Sequence, residues 1–143
     1  ILNNISTHCF AMSYEILKIL EGQPYKIVKR PILGPMFEAL KVKQINEVVT
    51  LYYRLKKEEF DKWDFDEVHL NRLGYFLLNN QRFDRAIGIF KVNTTEFPNS
   101  ANAFDSLAEA YMKKGDEKMA VKNYEKSLKL NPKNDNAKRC WRN

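Results

Sequence analysis

The sequence predicts an all-α protein, an α-α superhelix of about three helix pairs closed by a C-terminal capping helix. Three observations predict it. A block of apolar and small residues recurs with a fixed period of 34, apolar residues within each block are spaced by three and four, and prolines fall between the periodic stretches. With 143 residues, 44% hydrophobic and 29% charged, the chain is long enough for one hydrophobic core and has an ordinary globular composition.

The repeat justifies the central elements. Leu70-x2-Leu73-Gly74-x2-Leu77, then Ala86-x3-Phe90, then Pro98, returns as Phe104-x2-Leu107-Ala108-x2-Tyr111, then Ala120-x3-Tyr124, then Pro132, in register and without insertion. The first helix of each block carries one apolar stripe, and Gly74 and Ala108 are small enough for a partner helix to come close. Ala86 and Ala120 do the same from the second helix, and Phe90 and Tyr124 are expected to fill the space between pairs. Pro98 and Pro132 stop the second helices, since proline cannot continue the hydrogen-bond ladder. Asp64 with Glu67 three residues on predicts a capping box, and Ser100 an N-cap.

These residues resemble the tetratricopeptide pattern of Trp, Leu, Gly, Tyr, Ala, Phe and Pro. Leu70 and Phe104 stand where Trp is usual, Leu77 replaces a Tyr and Ala108 a Gly, each swap keeping size class or apolar character. The repeats are placed at 67–100 and 101–134.

Two repeats cannot cover both ends of their own stack. Residues 35–43 and 45–60 read as a degenerate pair, with Ile45, Val48, Val49, Tyr52 and Leu55 in the places of Phe83, Ala86, Ile87, Phe90 and Asn93. The offset there is 38, and the region of Trp63 and Phe65 absorbs the excess. At the other end Ala137, Cys140 and Trp141 predict a cap over 135–143, with Lys138, Arg139 and Arg142 as its wet face. Together 35–143 form one tetratricopeptide-like domain.

Residues 26–34 read as an extended linker. Before it, Ile1-Leu2-Asn3-Asn4 reads as a strand end, Phe10, Tyr14, Leu17 and Leu20 as a helical stripe, and Gly22-Gln23-Pro24 as its exit. This arrangement is similar to the last strand and last helix of serine hydrolases of the β-lactamase and penicillin-binding-protein-like kind. The resemblance covers about 25 residues and implies that 1–25 are the remnant of an upstream catalytic domain. It also implies a periplasmic or extracellular location; the residues themselves name no compartment. The chain starts without an initiator Met or signal-type cleavage site and reads as a piece of something longer.

Composition excludes several classes. The net charge is +6, yet residues 1–62 carry ten Lys or Arg against seven Asp or Glu and residues 63–143 fourteen against eleven, so the excess is spread rather than gathered on a phosphate-binding face. Nucleic acid is not expected. No window is apolar enough for a membrane span. Cys9 and Cys140 lack metal-ligand spacing and read as buried thiols, with a single bridge left open.

No catalytic constellation is present. None of Ser6, Ser13, Ser100, Ser106 or Ser127 begins a Ser-x-x-Lys motif, and there is no Gly-x-Ser-x-Gly elbow, zinc helix or phosphate loop. His8 and His69 read as structural or surface residues, Glu58-Glu59 as the end of a charged helix, and Asp64 and Asp66 as parts of a cap. No metal or cofactor is expected.

In tetratricopeptide proteins the first helices line a groove that receives a protein or peptide segment. By that resemblance the groove here carries Asn71, Arg72, Tyr75 and Asn79 from one repeat and Asn102, Asp105, Ser106, Glu109 and Met112 from the next. Tyr75 and Met112 would supply adaptable contact area and Arg72, facing Asp105 or Glu109, polar recognition. The clamp that reads C-terminal carboxylates needs Lys and Asn where Asn71 and Tyr75 stand, so such tails are not expected ligands. The expected function is a non-catalytic protein–protein interaction scaffold, the C-terminal module of a larger protein. The alternative is an accessory, regulatory segment of a β-lactamase-like hydrolase. The occupant of the groove is then a protein segment, the chain's own upstream domain or a second copy in a homodimer.

Overall fold

The structure, a computed structural model, describes residues 20–22 and 28–141, with side chains as far as Lys138. It divides into two compact units, Ile1–Arg30 and Pro31–Asn143. In the first, Leu20 is helical and Gly22 turns the backbone at φ +66°. The expected strand end, the stripe of Phe10, Tyr14 and Leu17, and Gln23-Pro24 lie outside the described residues.

The second unit is a stack of helices. After the short strand β1 (Arg30–Pro31) come α1 (Leu33–Val42) and α2 (Ile45–Glu58), then β2 (Trp63–Asp64), then α3 (Glu67–Asn79), α4 (Phe83–Glu96), α5 (Ala101–Lys114), α6 (Glu117–Leu130) and α7 (Asp135–Trp141). The protein is an all-α helical repeat solenoid with a minimal β1–β2 ladder at one end. Helix α1 begins at Leu33, inside the expected linker, because Ile32 is already in the core at 1% exposure and Pro35 sits in the first turn, where its missing N–H is no loss. Helix α2 stops at Glu58, two residues short of expectation.

One core runs through all three pairs. Met36, Val48, Tyr52, Leu70, Leu73, Leu77, Ile89, Phe90, Ala108, Tyr124 and Ala137 are all buried in it. Gly74 lets α3 and α4 approach: a Cβ there would lie 2.4 Å from the Phe90 ring. Phe90 therefore fills the inside of its own pair rather than the space between pairs, its ring edge-on to Tyr75 at 5.3 Å. Gly88 does the same for the neighbouring pair, where a Cβ would meet Ile45 of α2 at 2.5 Å.

The excess of four in the first offset sits in the α2–α3 loop, residues 59–66, against 97–100 in the next pair. Side chains fix this loop. Phe65 stands edge-on to Tyr52 at 5.5 Å, the Trp63 indole N–H donates to Glu59 at 3.1 Å, and the Ile32 N–H donates to the Asp64 carbonyl at 3.2 Å. The indole bond, with Lys62 close by, holds the Glu59 carboxyl below the usual range.

The caps differ from expectation at one helix. Ser100 caps α5, its hydroxyl accepting from Ala103 N–H at 3.1 Å. At α3 the N-cap is Asp66, which accepts from Val68 N–H at 3.1 Å, not Asp64. Asp64 instead accepts from Asp66 N–H and pairs with His69, Nε2 to Oδ2 at 2.8 Å. His69, read from sequence as a structural or surface residue, is a buried side chain tied to the loop.

The pairs are bolted together by charged side chains. Arg85 of α4 reaches back to the end of α1, donating to the Leu40 carbonyl at 3.0 Å and to that of Lys43. Lys56 of α2 pairs with Glu96 of α4, whose side chain is only 10% exposed, and Tyr52 donates to the same carboxylate at 3.4 Å. Burial, with Glu96 beside it, pushes the Tyr52 hydroxyl well above the usual tyrosine range. At the far end Ser127 donates to the Ala101 carbonyl and accepts from Asn134, each at 2.8 Å, and Ala137 of α7 is fully buried. The expected covers Cys140 and Trp141 have side chains outside the described residues.

Candidate functional site

Helices α3 and α5 lie side by side and carry all nine groove residues expected from sequence. The structure sorts these into two sets. Arg72, Asn79, Asn102 and Met112 are exposed, while Asn71, Tyr75 and Glu109 are half-buried. Asp105, at 7% exposure, and Ser106, at 0%, are inside the seam rather than on an open wall. The physical reasons differ: Asn136 of α7 donates to Asp105 Oδ2 at 2.6 Å, while Ser106 lies against Tyr75 of α3.

The polar contacts cross the repeat boundary. Tyr75 donates to Glu109 Oε2 at 2.9 Å, a bond between equivalent positions 34 residues apart. Ser100 and Asn102 both donate to Glu67 Oε1 at 2.9 Å. Lys113 approaches Glu109 at 3.7 Å. The expected partnership of Arg72 with Asp105 or Glu109 is not formed, because Tyr75 and Lys113 take Glu109 and Asn136 takes Asp105.

Burial sets the protonation of this seam. The Tyr75 hydroxyl is pushed up to about 12, mainly by burial, against the pull of the neighbouring Ser106 hydroxyl and with the charges of Glu109 and Asp105 adding to it. Burial also raises the Asp105 carboxyl, offset in part by the Asn136 and Asn134 amides and reinforced by Glu109. Three acceptor-capable atoms here, Asn71 Oδ1, Asp105 Oδ1 and Ser106 Oγ, are buried without a regular hydrogen bond.

Sequence reasoning missed an aromatic contact on the same helix. Phe76 of α3 is 50% exposed and meets Phe37 of α1 edge-on at 4.9 Å. Around them a cavity of about 340 Å³ is lined by Phe37, Leu40, Lys41, Phe76, Leu77, Asn80 and Arg82. The signal was present: the equivalent position in the next repeat is Ala110, fully buried, so a Phe there is larger than the packing requires. A second cleft, about 470 Å³, opens between α2, α4 and α5, and Ile45, Val49, Ile87, Lys91 and Lys114 are among the residues that line it. Lys91 lies over the Tyr111 ring at 6.0 Å, and Lys114 pairs with Asp84 at 2.5 Å, a bond that raises its ammonium above the usual lysine range.

Among the described residues no group of three or more His, Cys, Asp or Glu side chains could hold a metal ion, and no helix is long and apolar enough to cross a membrane.

The sequence profile of the family described as Tetratricopeptide repeat matches residues 101–134, which span α5, α6 and the loop that follows. No curated protein matches the chain. A repeat of this kind suggests a protein–protein interaction scaffold, and such repeats are generally non-catalytic. The serine-hydrolase resemblance of residues 1–25 finds no support in the match or in the described residues.

Proposed function

We propose that the chain is a non-catalytic interaction scaffold that binds an extended protein segment along α3 and α5, with Phe76 as its apolar anchor. The observation that carries the reading is the half-exposed Phe76, held edge-on by Phe37 at the mouth of a cavity on an otherwise well-packed stack. Exposed aromatics that neighbours hold rigid lose little freedom on binding and dominate interface energies. Arg72 and Asn79, one turn either side of Phe76, are exposed and supply polar contacts at its rim.

A library of randomised peptides displayed on phage and selected on the full chain tests this. Selected peptides are expected to lose binding by about a hundredfold on Phe76→Asp, in line with a buried aromatic hot spot. Lys91→Glu, in the second cleft, leaves binding within about twofold because Lys91 is carried on α4, not on α3 or α5. Binding that survives Phe76→Asp but fails with Lys91→Glu would move the site to the second cleft. No observation favours the hydrolase-tail reading over this one.

A further inference from the structure

We propose that the seam formed by Asp105, Ser106 and Glu109 of α5 with Tyr75 of α3 receives the cationic group of a Lys or Arg in the bound segment. The inference rests on the interaction reading above and adds the chemistry of the partner.

The first reason is uncompensated charge. Asp105 and Glu109 stand four apart on one face of α5, where like charges repel. Asp105 is 93% buried by its 7% exposure, yet the groups that bond it are neutral amides, Asn136 at 2.6 Å with Asn134 beside it. Buried carboxylates are usually paired with a cation, since removing the charge from water costs several kcal/mol. Lys113, half exposed, reaches only Glu109 and does so at 3.7 Å.

The second reason is the sign of the unmet hydrogen bonding. Asn71 Oδ1 and Asp105 Oδ1 can only accept, and Ser106 Oγ can accept. Ser106 is fully buried and its hydroxyl lies beside that of Tyr75, whose own proton is committed to Glu109. A group that fits such a seam brings donors and no acceptors. Lysine ammonium has three donors and arginine guanidinium five, and neither has an acceptor. A water molecule could meet the hydrogen bonds but leaves both charges in place. Glu109, whose side chain is 31% exposed, is the point of entry. The cation takes Glu109 Oε1 from Lys113, which holds it only at 3.7 Å, and shares the Asp105 charge behind it.

The test uses the full chain and the selected peptides. The peptides are expected to be enriched in Lys or Arg at a fixed spacing from an apolar residue. Replacing that residue by citrulline or acetyl-lysine, and separately making Glu109→Gln or Asp105→Asn, should each weaken binding about tenfold, with the double change no worse than either alone. Glu109→Gln keeps an acceptor for Tyr75, and thermal melts of both variants establish that they fold. Peptides that depend on Phe76 but show no basic enrichment, or whose affinity moves less than about twofold in both variants, overturn the cation site and leave the interaction face standing. Failure to select any peptide that distinguishes wild type from Phe76→Asp overturns both.

Discussion

Residues 74 and 108 hold the same place in consecutive repeats, yet one is Gly and the other Ala, and the aromatics 16 residues on are Phe90 and Tyr124. In the first repeat the ring occupies the space a methyl would need. In the second the methyl is present and fully buried, and Tyr124 is buried as well. The polar positions diverge further. His69 answers to Ala103, Asn71 to Asp105, Tyr75 to Glu109 and Asn93 to Ser127. The period therefore preserves the helix-to-helix fit, while the side chains that face a seam or a partner are set independently in each repeat.

Exchanging the small residues breaks the comparison most directly. Gly74→Ala is expected to destabilise by about 2 kcal/mol, the cost of overpacking against Phe90 less the helix propensity that alanine regains. The reverse change, Ala108→Gly, loses about 1 kcal/mol through propensity alone. Urea unfolding measures both. A Gly74→Ala protein as stable as wild type would show that glycine is not required by close approach.

Asn93 offers the next largest effect, with the opposite sign. It is fully buried with neither amide atom in a regular hydrogen bond, whereas Ser127 at the equivalent place makes two. Leu55 fills the matching position of the first pair. Asn93→Leu should gain about 1 kcal/mol by replacing an unsatisfied amide with an apolar side chain, and Ser127→Ala should lose about 1 kcal/mol. A loss in the Asn93 variant, read as a lower Tm, would mean the amide is satisfied by water.

The smallest effect sharpens the seam. Burial raises the Asp105 carboxyl in the folded protein, so its contribution to stability is present below the ordinary aspartate value, about 3.9, and is lost as pH rises through the higher folded value. Asp105→Asn removes that dependence. The Tm of the variant relative to wild type should therefore be higher at about pH 7 than at about pH 3. An equal difference at both pH values would contradict the raised carboxyl.

The stack was legible because its determinants are local and periodic. Proline stops, small residues at fixed places and the apolar stripes needed no knowledge of distant contacts. The Ser100 cap was equally local. The Asp64–Glu67 box failed because Asp64 had a stronger claim from His69, a neighbour the sequence does not advertise. The site was legible as a set of positions but not as an arrangement. Spacing placed Asp105 and Ser106 on the groove helix, and it takes contacts from other helices, Asn136 for the first and Tyr75 for the second, to enclose them. Phe76 escaped because its stripe is not the core stripe, and its partner Phe37 comes from a pair whose register was already shifted.

Arg85 has a consequence for the order in which the protein can be made. The open carbonyls at the end of α1 are finished by a guanidinium carried on α4, 45 residues downstream of Leu40. A ribosome adding about 5–20 residues per second therefore finishes α1 about 2–9 s, and α2 about 1–5 s, before the residue that ties them down. The N-terminal pair must wait, incomplete, for the repeat behind it. Once Arg85 arrives, its guanidinium ties the end of α1 to α4.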